Sequence, residues 1–197
     1  MWSLVPERPL KSPLVRAPAP PYAGEGAHAL WHVSEDATIG RFEPHVSATA
    51  ESDEPRVWAI DTRHLPLYWF PRDCPRGTFW AGPETTIEDE DRLLAGATRV
   101  HAAEAAWLDR IRQATVVGYR LPEASFRPDV EVGGYWLSRV PVEPLEVVEL
   151  GDLLALHAAA EIELRIVASL WPLWDRVVAS TIEFSGMRLR NSEPRRD

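Results

Sequence analysis

The chain has 197 residues, 45% hydrophobic and 26% charged, with a formal net charge of −9. That length suits one ordinary domain with a core and is short for two, and the acid excess excludes a non-specific nucleic-acid binder, which needs a basic surface to displace counterions. No apolar run approaches the ~18 residues of a spanning helix, and the single cysteine, Cys74, excludes an internal disulfide and a multi-cysteine zinc site.

Residues 1–27 hold Pro6, Pro9, Pro13, Pro18, Pro20 and Pro21 and show no apolar periodicity. Such a segment cannot bury enough surface to offset its ordering entropy, so it reads as a disordered tail. It has no basic stretch followed by an apolar one, so no signal peptide is expected and the cytoplasm is the expected compartment. A single domain is expected over 28–190, with a polar end fraying from Asn191 to Asp197.

The body opens with a short strand from Ala29 to Ser34 and a second extended piece from Ile39 to Phe42. Residues 47–55 are small and polar and read as a surface loop, and Arg56 to Asp61 is rich in strand formers. A helical turn from His64 to Phe70 stops at Pro71, and Gly77 to Ala81 reads as a strand. Residues 85–95 carry a helix signature, with a Thr cap, acids in the first turn and Gly96 just beyond the end. Ala103 to Ala114 reads as a second helix, with Trp107, Leu108 and Ile111 on one face. Strands fit Thr115–Leu121, Gly134–Ser138 and Leu145–Leu150; Asp152 caps a helix through Ala160; Glu161–Ala168 returns as a strand. The last helix has Pro172 in its first turn and an apolar face of Leu173, Trp174, Val177, Val178, Thr181 and Ile182. Strands and helices mix without strict alternation, so the expected class is α+β, a twisted mixed sheet with flanking helices.

Two sets of residues carry candidate chemistry. His32 stands on the first strand near Ser34, where a histidine and a hydroxyl can hydrogen-bond a sugar, with Trp58 on the next central strand. Arg72 and Arg76 flank Cys74, where they either lower the thiol pKa or form an anion pocket. The structural reading of that segment is a rigid turn between Pro71 and Pro75, with Asp73 paired to an arginine and Cys74 packed. The histidines show no metal-ligand spacing, so no metal is expected. His157, in an Ala/Leu-rich helix, reads as structural.

From Leu30 to about Asn191 the body resembles a family of bacterial proteins catalogued as a domain of unknown function. The motifs that carry the likeness are His32 to Glu35 (His-Val-Ser-Glu), Val57 to Asp61, Pro71 to Arg76, Gly134 to Ser138 and Ser169 to Leu173. More distantly, the layout resembles ADP-ribosyltransferase-like folds. That likeness implies NAD as substrate, His32 and Ser34 on the ribose, Trp58 as the second-strand aromatic, and a later carboxylate to stabilise the oxocarbenium. Val33 stands where that pattern has Gly, and no acid opens Gly134–Ser138. Glu131, Glu143 and Glu146 lie nearby, and Glu143 is taken as the acid. The expected function is thus a small-molecule site for a nucleotide or NAD, built from His32, Ser34, Trp58, Arg72 and Arg76. The alternative is a non-catalytic interaction protein whose motifs hold the fold.

Overall fold

The computed structural model describes residues 29–46, 54–130 and 132–195. The Pro-rich tail expected over 1–27 and most of the 47–55 loop therefore lie outside the described residues. The class is α+β, but the strands divide into two sheets.

The larger sheet joins β1 (Leu30–Ser34), β2 (Val57–Asp61), β5 (Val117–Leu121), β6 (Arg127–Pro128), β7 (Tyr135–Ser138) and β8 (Glu146–Glu149). Their order is β6-β7-β2-β1-β5-β8, antiparallel throughout. The smaller sheet joins β3 (Arg76–Trp80), β4 (Arg99–Glu104), β9 (Glu163–Val167) and β10 (Glu183–Met187) in the order β10-β3-β4-β9. Only β4 and β9 run parallel within it.

Side chains alternate across a strand, and the two sheets use that alternation to share one core. On β1, Trp31 enters the cluster between the sheets while Leu30 packs on the opposite face with Phe42, Val57 and Tyr119. On β4, Ala103 faces between the sheets, while Val100 and Ala102 pack with Leu93, Leu173 and Val177 on the helix-covered side. Consecutive buried residues thus mark strands covered on both faces. Trp31 is wholly buried and its indole N–H donates to Thr62 Oγ1 at 3.1 Å. Burial of such a side chain contributes roughly 4–6 kcal/mol before entropy is counted.

Four helices complete the fold: α1 (Ile87–Leu93), α2 (Leu108–Gln113), α3 (Leu153–Ala159) and α4 (Trp171–Val178). The expected caps form, with Thr86 Oγ1 accepting from the Asp89 N–H and Asp152 from those of Leu154 and Ala155. Ser169 does not cap α4; the Leu170 N–H donates instead to buried Glu104, at 3.0 Å. The other oxygen of Glu104 takes the Glu193 N–H at 2.9 Å, and Arg195 pairs with Asp175 through two bonds. Glu193 and Arg195, which make these contacts, belong to the end expected to fray.

Some elements differ from the reading of the sequence. Ala103 and Glu104, expected in a helix, end strand β4; a 3-10 turn (Ala105–Trp107) and the shorter α2 follow. Helix propensity is overridden there because β4 is held on both sides, by β3 and β9. β10 was not expected at all. The piece from Ile39 to Phe42 supplies only a single bridge, Phe42 to Val142. The His64–Phe70 turn is a 3-10 helix over Leu65–Tyr68.

Candidate functional site

Strands β1 and β2 share only two register pairs, Leu30 with Asp61 and Trp31 with Ile60, whereas β1 follows β5 for five. Beyond Trp31 the two strands splay apart. His32 bridges the opening, its Nδ1 donating to the Trp58 carbonyl at 3.0 Å. At this gap, between the sheets, lies a cavity of about 530 Å³. That size falls in the range of small-molecule sites, roughly 300–1,000 Å³.

The His32 bond settles its tautomer. A carbonyl only accepts, so Nδ1 carries the proton and the neutral ring leaves Nε2 as an acceptor. Burial lowers the pKa of His32, the Trp58 bond opposes this, and the charges of Arg72 and His45 lower it further. Ser34 is buried, its Oγ accepting from the Asp36 N–H at 3.1 Å.

The other side of the cavity is cationic and aromatic. Arg76 is 3% exposed, near Tyr68 and Phe70, with its guanidinium carbon 5.6 and 5.4 Å from their ring centroids. Its Nε and one Nη donate to the carbonyls of Leu67 and Cys74 at 2.8 and 3.0 Å, and its other Nη contacts Met187 Sδ at 2.9 Å. Among the described residues no carboxylate pairs with it. A buried cation without a counter-charge is costly unless something else neutralises it. Arg72, Arg188 and Arg190 line the same cavity; among the described residues its one lining carboxylate is Glu35, which accepts the Arg72 backbone N–H at 3.0 Å. A locally positive cavity thus sits in a protein of net charge −9.

His32, Ser34, Trp58, Arg72 and Arg76 all line this cavity. Glu143 does not. It is exposed and pairs with Arg41 at 3.5 Å, because it follows the Phe42–Val142 bridge on the far face of the larger sheet. Glu146, on edge strand β8, pairs with Arg120 instead, and Glu131 lies outside the described residues. Cys74 is fully buried, and burial pushes its thiol up to about 12 against the smaller opposing pull of Arg76. The activated-thiol reading is thereby corrected: desolvation outweighs the neighbouring charge. Asp73 approaches Arg188, at 4.0 Å, rather than Arg72 or Arg76.

The residues missed from sequence are Tyr68, Tyr135, Arg188 and Arg190. Tyr135 lies within Gly134 to Ser138, but nothing in that motif signals that it lines the same cavity as His32. Arg188 and Arg190 follow β10, whose existence the sequence did not reveal. Among the described residues no group of three or more His, Cys, Asp or Glu side chains is placed to hold a metal, and no helix is long and apolar enough to cross a membrane.

No curated protein and no solved structure matches the chain, so the ADP-ribosyltransferase resemblance gains no support from either comparison. The sequence profile described as "Family of unknown function (DUF6886)" does match, over residues 31–192, and with most of its length covered the protein belongs to that family.

Proposed function

We propose that the protein binds a small anionic organic ligand of the nucleotide class in the cavity between its two sheets. The observation that carries this reading is Arg76, a buried guanidinium with no carboxylate partner among the described residues, facing a cavity with three further arginines. Aromatic side chains of Trp58, Tyr68, Phe70 and Tyr135 supply surface for a base or similar ring. His32 Nε2 accepts from a sugar hydroxyl. The reading is one of binding, because among the described residues neither Glu143 nor Glu146, the candidates for the acid that a transfer from NAD would require, lines the cavity.

Calorimetric titration with AMP, ADP and NAD tests it. At least one should bind with measurable heat, and at a hundred times its dissociation constant should stabilise the fold by about 2.7 kcal/mol. His32→Asn keeps a donor for the Trp58 carbonyl but loses the ring acceptor, and should weaken binding about tenfold without lowering the melting temperature. No heat and no thermal shift with any of the three would leave Arg76 a structural cation and make the non-catalytic interaction protein the better reading.

A further inference from the structure

An arginine side chain carries five N–H groups. Arg76 spends three, on the Leu67 and Cys74 carbonyls and on the Met187 sulfur, which leaves two without an acceptor among the described residues. A thioether is a weak acceptor, so the third is readily given to a better one. The phenols beside it show a similar surplus. Tyr68 and Tyr135 are joined through their hydroxyls at 2.6 Å. Two hydroxyls hold two protons and their mutual bond uses one, so one O–H is left over. Burial raises the pKa of both phenols, which therefore keep those protons.

Arg188, which Asp73 approaches to 4.0 Å, adds a second guanidinium to the lining of the same cavity. Its Nε donates to the Arg72 carbonyl at 3.2 Å and its backbone is left-handed, with φ of 55°. That conformation is uncommon for a residue with a Cβ and is retained where surroundings over-determine it. Arg76 contacts Met187, the residue before Arg188, and both arginines line the one cavity; burial lowers the pKa of Arg76, and the charge of Arg188 adds to that effect.

We propose that Arg76, Arg188 and the Tyr68–Tyr135 pair form a phosphomonoester subsite, which a ligand's terminal phosphate enters first. This rests on the anionic-ligand reading above and narrows it. A terminal phosphate brings close to two negative charges and three acceptor oxygens, matching two guanidiniums and a surplus of N–H and O–H donors. The donors are already desolvated and held in place, so little reorganisation is needed on binding. The organic portion then extends towards Trp58 and His32. The phosphates of NAD form an internal pyrophosphate, each with one charge, one ester link and one anhydride link, and cannot lead into the buried end.

Calorimetric titration with AMP, phenyl phosphate and NAD decides this, on the parent and two variants. Arg188→Asn removes the charge with a residue that tolerates left-handed backbone. Tyr68→Phe/Tyr135→Phe is needed as a pair, since either hydroxyl alone would still have a free proton to donate. Replacing both partners of a buried hydrogen bond with apolar groups of the same shape is nearly neutral for stability, so the double variant should melt like the parent. AMP and phenyl phosphate are expected to bind at least about tenfold more tightly than NAD, and each variant to weaken them at least about tenfold. Should the double variant fail to fold, Arg188→Asn decides alone. NAD binding as tightly as AMP, or undiminished AMP affinity in the variants, overturns the phosphomonoester subsite while the broader anionic reading stands. Silence with all three ligands overturns both.

Discussion

Cys74 shows how one environment reverses the chemistry a local sequence implies. Flanked by Arg72 and Arg76, it has the neighbours of an activated thiol, yet it is wholly buried and its Sγ–H lies 3.6 Å from the Pro75 carbonyl. Positive charge favours the thiolate, but removing that thiolate from water disfavours it more, and the pKa rises to about 12. Cys74 should therefore resist iodoacetamide at pH 8 in the native protein and react at the ordinary rate once urea unfolds it. Native-state labelling within minutes, followed by mass spectrometry, would show the thiol to be open and activated after all. Arg76 is the converse case. Its burial is tolerable because carbonyls and rings surround it, and under the proposed function a ligand supplies the opposing charge.

At the scale of elements, the packing of α4 on the smaller sheet depends on two glycines. Gly77 and Gly186 are register partners across β3 and β10, and the Trp174 indole lies over both. A Cβ would come within 2.9 Å of that ring at Gly77 and 2.6 Å at Gly186. Gly186→Ala should thus destabilise by about 1–3 kcal/mol through overpacking, measured as a fall in the urea midpoint. The helix phase is tested by neighbours. Val177 is fully buried and Val178 is 45% exposed, so Val177→Ala should cost about 1.5–3 kcal/mol and Val178→Ala under about 0.5. Equal losses would mean that α4 is rotated from the phase described. The sequence placed Val178 on the apolar face with Val177, because adjacent valines cannot be told apart by composition when the helix is eight residues long.

At the scale of the whole molecule, the core holds two buried, hydrogen-bonded histidines. His101 and His157, on β4 and α3, are joined at 3.0 Å from Nδ1 to Nε2, and His157 Nδ1 donates to the Leu153 carbonyl at 2.7 Å. The chain runs one way: His157 Nε2 must accept, so His101 Nδ1 carries the proton and its buried Nε2 has no partner among the described residues. Burial lowers the pKa of His32, His101 and His157 alike. Each folded-state value lies below the ordinary 6.5, so as pH falls the unfolded chain takes up these protons first. Stability that is full above pH ~6.5 should therefore decline through the range below it. Carboxylates held low, such as Asp89 by the Thr181 N–H, act only below about pH 4. Melting temperatures measured from pH 8 to 5 should fall on the acid side of 6.5. A flat profile down to pH 5 would mean that the imidazoles titrate as they do in water.

The sequence alone was enough for the α+β class, a cap at Thr85 or Thr86 and one at Asp152, and the strands β1, β2, β3, β5, β7, β8 and β9 to within a few residues. These depend on local pattern, on strand formers between turn residues and on side chains that reach their own backbone. It also singled out His32, Ser34, Trp58, Arg72 and Arg76, which line one cavity. Strand β4 was hidden because its Ala-rich end prefers helix and becomes extended only between two partners, and β10 because Phe184, Ser185 and Gly186 show neither alternation nor a continuous apolar run. Without β10, Arg188 and Arg190 had no address. The placement of Glu143 away from the cavity, the burial of Cys74 and the partnership of Arg76 with Tyr68 and Tyr135 were likewise decided only by tertiary structure. Each depends on which faces of two sheets meet, and therefore on desolvation and charge contacts between residues far apart in the chain.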